Sequence, residues 1–473
     1  MSLLRAIARP AAAPRARAFS TLTLEEMAKL VAAREPNHPP AVSLVPIDPS
    51  VVKFKEQNVE ILKRSKDFPN LLLHMSAGSF NDVNYATAFS QLAKLRGKQL
   101  AALHRDSNFH KLICVVGWKM KENKLKDFGS TRNISSIVHS LARLKVPNTA
   151  ITTAISDDAQ WLVANGNAID VGNTAWAFAM LRVKSPEPLF AAIELHADEI
   201  VTTGSTQAVA NTAWAAASLN VSAPALFESI EKHSTMIVKQ CKMPQDLARL
   251  AWAAATLAHS APTLFNEIGN RGDFIGNGYP KSIADAAWAF ATANVMAPKL
   301  FKVVETRMTV GGDGLRDWPH ARDIVKMAWA VGKLGCEAPK FLAAVDNESE
   351  ILILRGGDQG IATVAVAFAR SGCEPASFFN LLERRGEKFV SGASERQIVD
   401  VTWALVLCGG GRVRTCAHEA LLRALLGRVV EADASRFVNE SLEQLVEIRA
   451  SGVELGPLAE DLEKRISKIK VPA

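Results

Sequence analysis

Tyrosine is nearly missing from this chain, with two in 473 residues, and cysteine is sparse at six. No cysteine stands in CxxC spacing, which excludes a zinc ribbon and a disulfide framework. Cys336 and Cys373 fall at equivalent points of a repeat described below, so they read as small core filler in a reducing compartment. No stretch of 18 apolar residues occurs without charges, so no membrane-crossing helix is expected. Extended alternating runs are few, which leaves helix as the main structure. The parts of a catalytic site are missing too. His104-Arg105-Asp106 stands without a glycine-rich loop, a strand lysine or a DFG sequence, and Gly311-Gly312-Asp313-Gly314 lacks the strand-loop-helix setting of a phosphate cradle. The histidines are dispersed, with no pair at metal-ligand spacing, and no nucleophile, base and orienting group come together along the period. Neither an enzyme nor a cofactor or metal protein is expected.

Acidic residues are absent from residues 1–20, which carry Arg5, Arg9, Arg15 and Arg17. The long apolar centre of a secretory signal is missing there, and the segment ends Arg17-Ala18-Phe19-Ser20-Thr21, like a mitochondrial processing site. A mitochondrial targeting peptide and a matrix destination are expected, with a plastid as the alternative. The remaining positive charge is local: residues 51–132 hold 15 Lys/Arg against 7 Asp/Glu, and residues 133–473 hold 34 against 37. It gathers in Lys63-Arg64-Ser65-Lys66 and in Lys119, Lys121, Lys124 and Lys126. Such runs fit either a solvated face or contacts to nucleic-acid phosphates.

What the chain does have is one phrase, repeated. Its clearest copy is VANTAWAAASLNVSAPALF, Val209 to Phe227, and it returns around Trp176, Trp252, Trp288, Trp329, Val366 and Trp403, with weaker echoes around His139 and Val446. From His139 to Trp403 the anchors lie 37, 38, 38, 36, 41, 37 and 37 residues apart. A fixed period of this length marks stacked supersecondary units. The alanine-rich part around each anchor has no proline inside it and reads as helix A. Pro188, Pro224, Pro262, Pro298, Pro339 and Pro375 then open a second, amphipathic helix B, where a first-turn proline gives up only an orphaned N–H. The fold class is all-α, an α-solenoid of about 8–10 helix-turn-helix repeats with a period near 38 residues.

At about 100° per residue, positions five before, two before, two after and five after the anchor share one side. The first of these is Val171, Val209, Leu247, Ile283, Ile324, Ile361 and Ile398, so this side packs on helix B. Positions four before, one before and three after are mostly Ala or Gly, which lets neighbouring A helices approach closely. A polar stripe is left over. Seven before the anchor stand Gln207, Gln245, Lys281, Arg322, Gln359 and Arg396; three before stand Asn173, Asn211, Arg249, Asp285, Lys326, Thr363 and Asp400. One residue after the anchor is always alanine, so the stripe reads as a flat floor with variable polar pairs above it. Amide side chains offer a donor and an acceptor to an unpaired base, and arginine stacks or grips phosphate. The tryptophans read chiefly as packing residues.

The NTAWAFA and NTAWAAA phrases, the period near 38 and the targeting peptide resemble organellar RNA-binding helical repeats of the octatricopeptide and heptatricopeptide type. They are similar also to the helical-repeat domain of the mitochondrial RNA-editing substrate-binding complex and to FAST-kinase-like proteins, over roughly residues 80–450. The proline-rich octamer of octatricopeptide units and a RAP segment are absent, so cleavage by this chain is not implied. The resemblance implies binding of single-stranded transcript or ribosomal RNA, in stabilisation, processing, editing or translation, with ribosomal or RNA-processing proteins as further partners. A non-catalytic scaffold, or a structural subunit of a ribonucleoprotein such as the mitoribosome, is the alternative. The expected organisation is a targeting peptide at 1–20, an N-terminal helix and proline-rich linker at 21–75, and a basic repeat region at 76–132. Regular repeats follow at 133–410 and capping helices at 411–473. A single strand in a concave groove would contact the polar pairs, with Lys119, Lys121, Lys124 and Lys126 holding phosphates.

Overall fold

The computed structural model describes residues 54–308, 315, 318, 320–408, 419–431 and 439–450. The expected targeting peptide (1–20), the proline-rich connector, both glycine runs (311–314 and 409–411) and the charged segment after residue 450 lie outside the described residues. Among the described residues all regular structure is helical. The chain divides into two compact units, one ending at Gln240 and one beginning at Cys241, and each is an α-solenoid of two helical rows.

The A-row helices are labelled α1 to α11. In the first unit they are α1 (Phe54–Arg64), α2 (Asp82–Leu92), α3 (Thr131–Leu144), α4 (Ala168–Leu181) and α5 (Thr206–Leu219), each packed on the next. In the second unit they are α6 (Pro244–Thr256), α7 (Pro280–Thr292), α8 (Ala321–Leu334), α9 (Gly357–Arg370), α10 (Glu395–Cys408) and α11 (Asn439–Ala450), again packed in sequence. The array therefore starts earlier than the sequence suggests. Residues 54–75, which fall within the span expected as an N-terminal helix and proline-rich linker, form α1 and most of the helix Phe68–Ala77, because Ile61, Leu71, Leu72 and Met75 bury completely or nearly so.

The side expected to meet the B row does so: Val171, Val209, Leu247, Ile283, Ile324 and Ile361 have no exposed surface, and neither do Phe178, Phe290 and Phe368 two residues after their anchors. The small-residue side also behaves as expected. A Cβ added to Gly172 would stand 2.7 Å from the Ala208 carbonyl, and one on Gly332 would stand 2.9 Å from the Ala367 Cα, so backbones of successive A helices touch at these points.

Two local features differ from expectation. Helix B is two short helices rather than one. It breaks at a residue in the bridge region of backbone space, such as Asp158, His196, Arg271 or Arg385 (φ −103 to −114, ψ 5 to 26). Three of these side chains reach the preceding repeat: Asp158 accepts from the Leu125 N–H at 2.6 Å, Arg271 donates to the Cys241 carbonyl at 3.1 Å, and Arg385 donates to the Ile353 carbonyl. The second difference is at Pro375, which precedes the helix Phe378–Arg384 without entering it. Two proline-initiated helices borrow an acid from the preceding repeat as cap. Glu194 accepts from the Ala225 and Leu226 N–H groups at 2.9 and 3.0 Å, and Glu305 does the same for Lys340 and Phe341 at 3.1 and 2.8 Å.

Every regular A helix from α3 to α9 ends on a left-handed residue six places after its anchor: Lys145, Arg182, Asn220, Ala258, Asn294, Gly335 and Gly372 (φ 51 to 62). The next N–H returns to the helix, as from Val221 to the Ala216 carbonyl at 2.9 Å and from His259 to Ala254 at 2.9 Å. These closures turn the chain into helix B at the same point in each repeat.

Candidate nucleic-acid interface

The outward side of the A row is built from positions seven before, three before, at, and four after each anchor. At about 100° per residue these lie at about 20°, 60°, 0° and 40°, a single narrow stripe. The alanine one place after the anchor lies at about 100° and is not part of it: Ala177, Ala215, Ala253, Ala289 and Ala330 have no exposed surface. This corrects the flat alanine floor. That alanine faces the small-residue side of the preceding A helix, as the Gly332–Ala367 contact shows, and only a small side chain fits there. The anchor takes its place on the stripe. Trp176, Trp214, Trp252, Trp288 and Trp329 are each partly exposed.

Three pairs of successive anchors lie ring to ring. In the first unit the His139 and Trp176 rings are 4.8 Å apart. In the second, Trp252 and Trp288 lie 6.3 Å apart with planes at 37°, and Trp288 and Trp329 lie 6.4 Å apart at 30°. In these pairs the rings form a ladder, and each indole keeps part of its surface open to solvent.

Polar groups flank this ladder in patterns that differ between units. In the first, Asn173 is partly exposed, Gln207 is exposed and Asn211 is 8% exposed, while Ile169 and Met180 on α4 are 54% and 40% exposed. His139 is held neutral more readily than usual, by burial and by the Arg143 charge. In the second unit the stripe is cationic. On α8, Arg322 and Lys333 are exposed and Lys326 is partly exposed, all on the stripe that Trp329 occupies. Lys326 also donates to Asp285 at 2.6 Å, and Asp285 is bridged from its other oxygen by Lys281. Arg249 pairs with the buried Asp246 at 3.6 Å, and burial pushes that carboxyl up while Arg249 pulls it down. Gln245 is partly exposed, and Gln359 accepts from Gln397 at 3.0 Å and donates to Thr363 at 3.3 Å.

The stripe closes at α11. Gln444 donates to Asp400 at 3.0 Å, Glu440 pairs with Arg396 at 2.8 Å and with Arg370 at 2.7 Å, and Glu447 accepts from the Trp403 indole N–H at 2.6 Å. Trp403 is 7% exposed as a result. Arg396 and Asp400, expected to face a ligand, are thus engaged by the last A helix.

The lysine cluster is not brought to the stripe. Lys119 is buried, its ammonium 5.2 Å from the Tyr85 ring centre and 3.4 Å from the Phe80 carbonyl, and burial lowers its pKa to about 8. That corrects its expected role in holding phosphate, since it turns inward. Lys121, Lys124 and Lys126 are exposed, but they belong to the end of the B-row helix Ser107–Glu122 and to the start of the short helix Leu125–Phe128 that follows it. Conversely, Arg132, Arg143, Lys333 and Arg370 also occupy the stripe, seven before or four after their anchors. The four-residue step beyond the anchor would have found Arg143, Lys333 and Arg370.

Residues 77–312 match the sequence model of the RNA-editing substrate-binding complex 6 protein family. Over this span, about half of the chain, it is a helical-repeat protein similar to the RNA-editing substrate-binding complex 6 type. No curated protein matches it. The family match takes in α2 to α7, hence the His139–Trp176 and Trp252–Trp288 steps, and ends before the cationic face of α8.

Proposed function

We propose that this chain is a non-catalytic component of a mitochondrial RNA-editing assembly that holds single-stranded RNA along the outward stripe of its A-row helices. The carrying observation is the outward face of α8, where Arg322, Lys326 and Lys333 share one stripe with the partly exposed Trp329. Cations in such an array contact phosphates, and partly exposed indoles offer apolar surface to bases that are not paired. Asn173, Gln207, Gln245 and Gln359 add amides able to offer a donor and an acceptor together. The differences from helix to helix would then decide which bases are tolerated at each step. Similarity to a family named for an RNA-editing substrate-binding complex supports RNA as the ligand and editing proteins as partners.

The stripe of the first unit favours a protein partner beside the RNA, because α4 exposes Ile169 and Met180 next to Trp176 and carries no cation at these positions. The test uses the triple variant Arg322→Ala, Lys326→Ala, Lys333→Ala. Arg249 is left intact because removing it would strand the buried Asp246. Affinity for a single-stranded RNA oligomer should fall at least tenfold while the thermal unfolding midpoint stays within a few degrees. Unchanged affinity would refute the assignment of RNA to this face.

A further inference from the structure

At the edge of the second unit's stripe, a cleft of about 600 Å3 opens between the first turns of α6 and α7. Its walls include Met243, Gln245, Asn277, Tyr279, Pro280 and Arg307, and no carboxylate is among its described lining residues. Tyr279 is one of the two tyrosines in the chain, and it is 73% exposed, whereas the other, Tyr85, is 1% exposed. Tyr279 and Met243 are the residues just before the prolines that start α7 and α6, so both sit on stiffened backbone. Met243 is 46% exposed. Arg307 closes the floor, its Nη1 donating to the Gly276 and Gly278 carbonyls at 2.8 and 3.0 Å. Gln245 belongs both to the cleft and to the stripe, seven residues before Trp252.

A ring and a thioether this exposed leave apolar area in water that folding does not require. The cleft volume lies within the range of small-ligand sites. Its chemistry is an aromatic face, a polarizable sulfur, two amides and one guanidinium. That set suits an unpaired nucleobase with its phosphate, and an acidic or purely apolar peptide side chain would leave the amides or the ring unused. We infer that this cleft takes one extruded nucleobase of the bound strand, stacked on Tyr279, with the Gln245 amide at its edge and Arg307 toward its phosphate. The inference rests on the RNA reading of the stripe and adds a base-binding step at its margin.

The test compares the full chain, Tyr279→Ala, Tyr279→Phe and the α8 triple variant on two labelled probes of equal length, oligouridylate and an abasic ribose-phosphate oligomer. Tyr279→Ala should weaken oligouridylate roughly tenfold, as expected for loss of one base-aromatic stack, and leave the abasic oligomer unchanged. Tyr279→Phe should bind both as the wild type does, and the α8 variant should weaken both. If Tyr279→Ala binds oligouridylate as the wild type does, or weakens both probes equally, the cleft takes no base while the stripe reading stands. Failure of the wild type to bind either probe overturns the stripe reading and this site with it.

Discussion

Replacing Trp288 with alanine removes the middle rung of the ladder in the second unit, with ring contacts on both sides at 6.3 and 6.4 Å. An indole covers about 150–250 Å2 on burial, and a partly exposed one withdraws about 150 Å2 from water. At about 25 cal/mol per Å2 that gives about 4 kcal/mol, an upper bound because the denatured chain is already somewhat compact. Alanine recovers a small part and the neighbours relax little against a rigid A row, so the expected loss is about 3 kcal/mol. Trp288→Phe keeps one stacked ring and should lose about 1 kcal/mol. Urea unfolding followed by far-ultraviolet circular dichroism and by tryptophan fluorescence measures both. If Trp288→Ala costs under about 0.5 kcal/mol, the indoles are not part of the frame. The ladder would then be a ligand surface only, and the packing argument fails.

Further outcomes follow from the same geometry. Ala258 ends α6 at φ 51, so Ala258→Gly should stabilise the chain by about 1 kcal/mol, read as a higher urea midpoint with an unchanged slope. Gly332→Leu drives a side chain into the Ala367 backbone, 2.9 Å from its first atom, and should cost about 2–3 kcal/mol in the same assay. The buried Lys119, with its pKa lowered to about 8 from 10.5, binds fewer protons folded than unfolded between those values. Stability should therefore rise from about pH 8 to pH 10.5 on its account, and Lys119→Met should be more stable at pH 7 and lack that rise. Glu447→Ala removes the acceptor of the Trp403 indole N–H and should raise accessibility of that ring to an aqueous quencher, with acrylamide quenching as the readout.

The frame of the fold is plain in the sequence because one physical demand recurs at one spacing. Ile283 and Ile324 must face the B row, and Gly172 and Gly332 must let backbones meet, so the period and the two packed sides could be read directly. The stripe was harder to place. An invariant alanine satisfies both an open floor and a tight helix contact, and only the neighbouring helix, absent from any local pattern, decides for the contact. Left-handed closure at Lys145, Arg182 and Ala258 carries no glycine or asparagine to announce it. The break within helix B depends on partners such as Leu125 for Asp158 and Cys241 for Arg271, some thirty residues away in sequence. Lys119 misled for a similar reason: its charge is visible in the sequence, while the Tyr85 ring and Phe80 carbonyl that receive it are not.

Salt titration of RNA affinity tests the central assignment most directly. Anisotropy of a labelled single-stranded oligomer, measured from about 50 to 300 mM salt, should show affinity falling log-linearly with a slope near −0.7 for each phosphate contacted. The Arg322, Lys326 and Lys333 triple alanine variant should flatten that slope by about 2. A slope identical in the two proteins, or an affinity indifferent to salt, would place the RNA elsewhere or show that the A-row stripe serves another ligand.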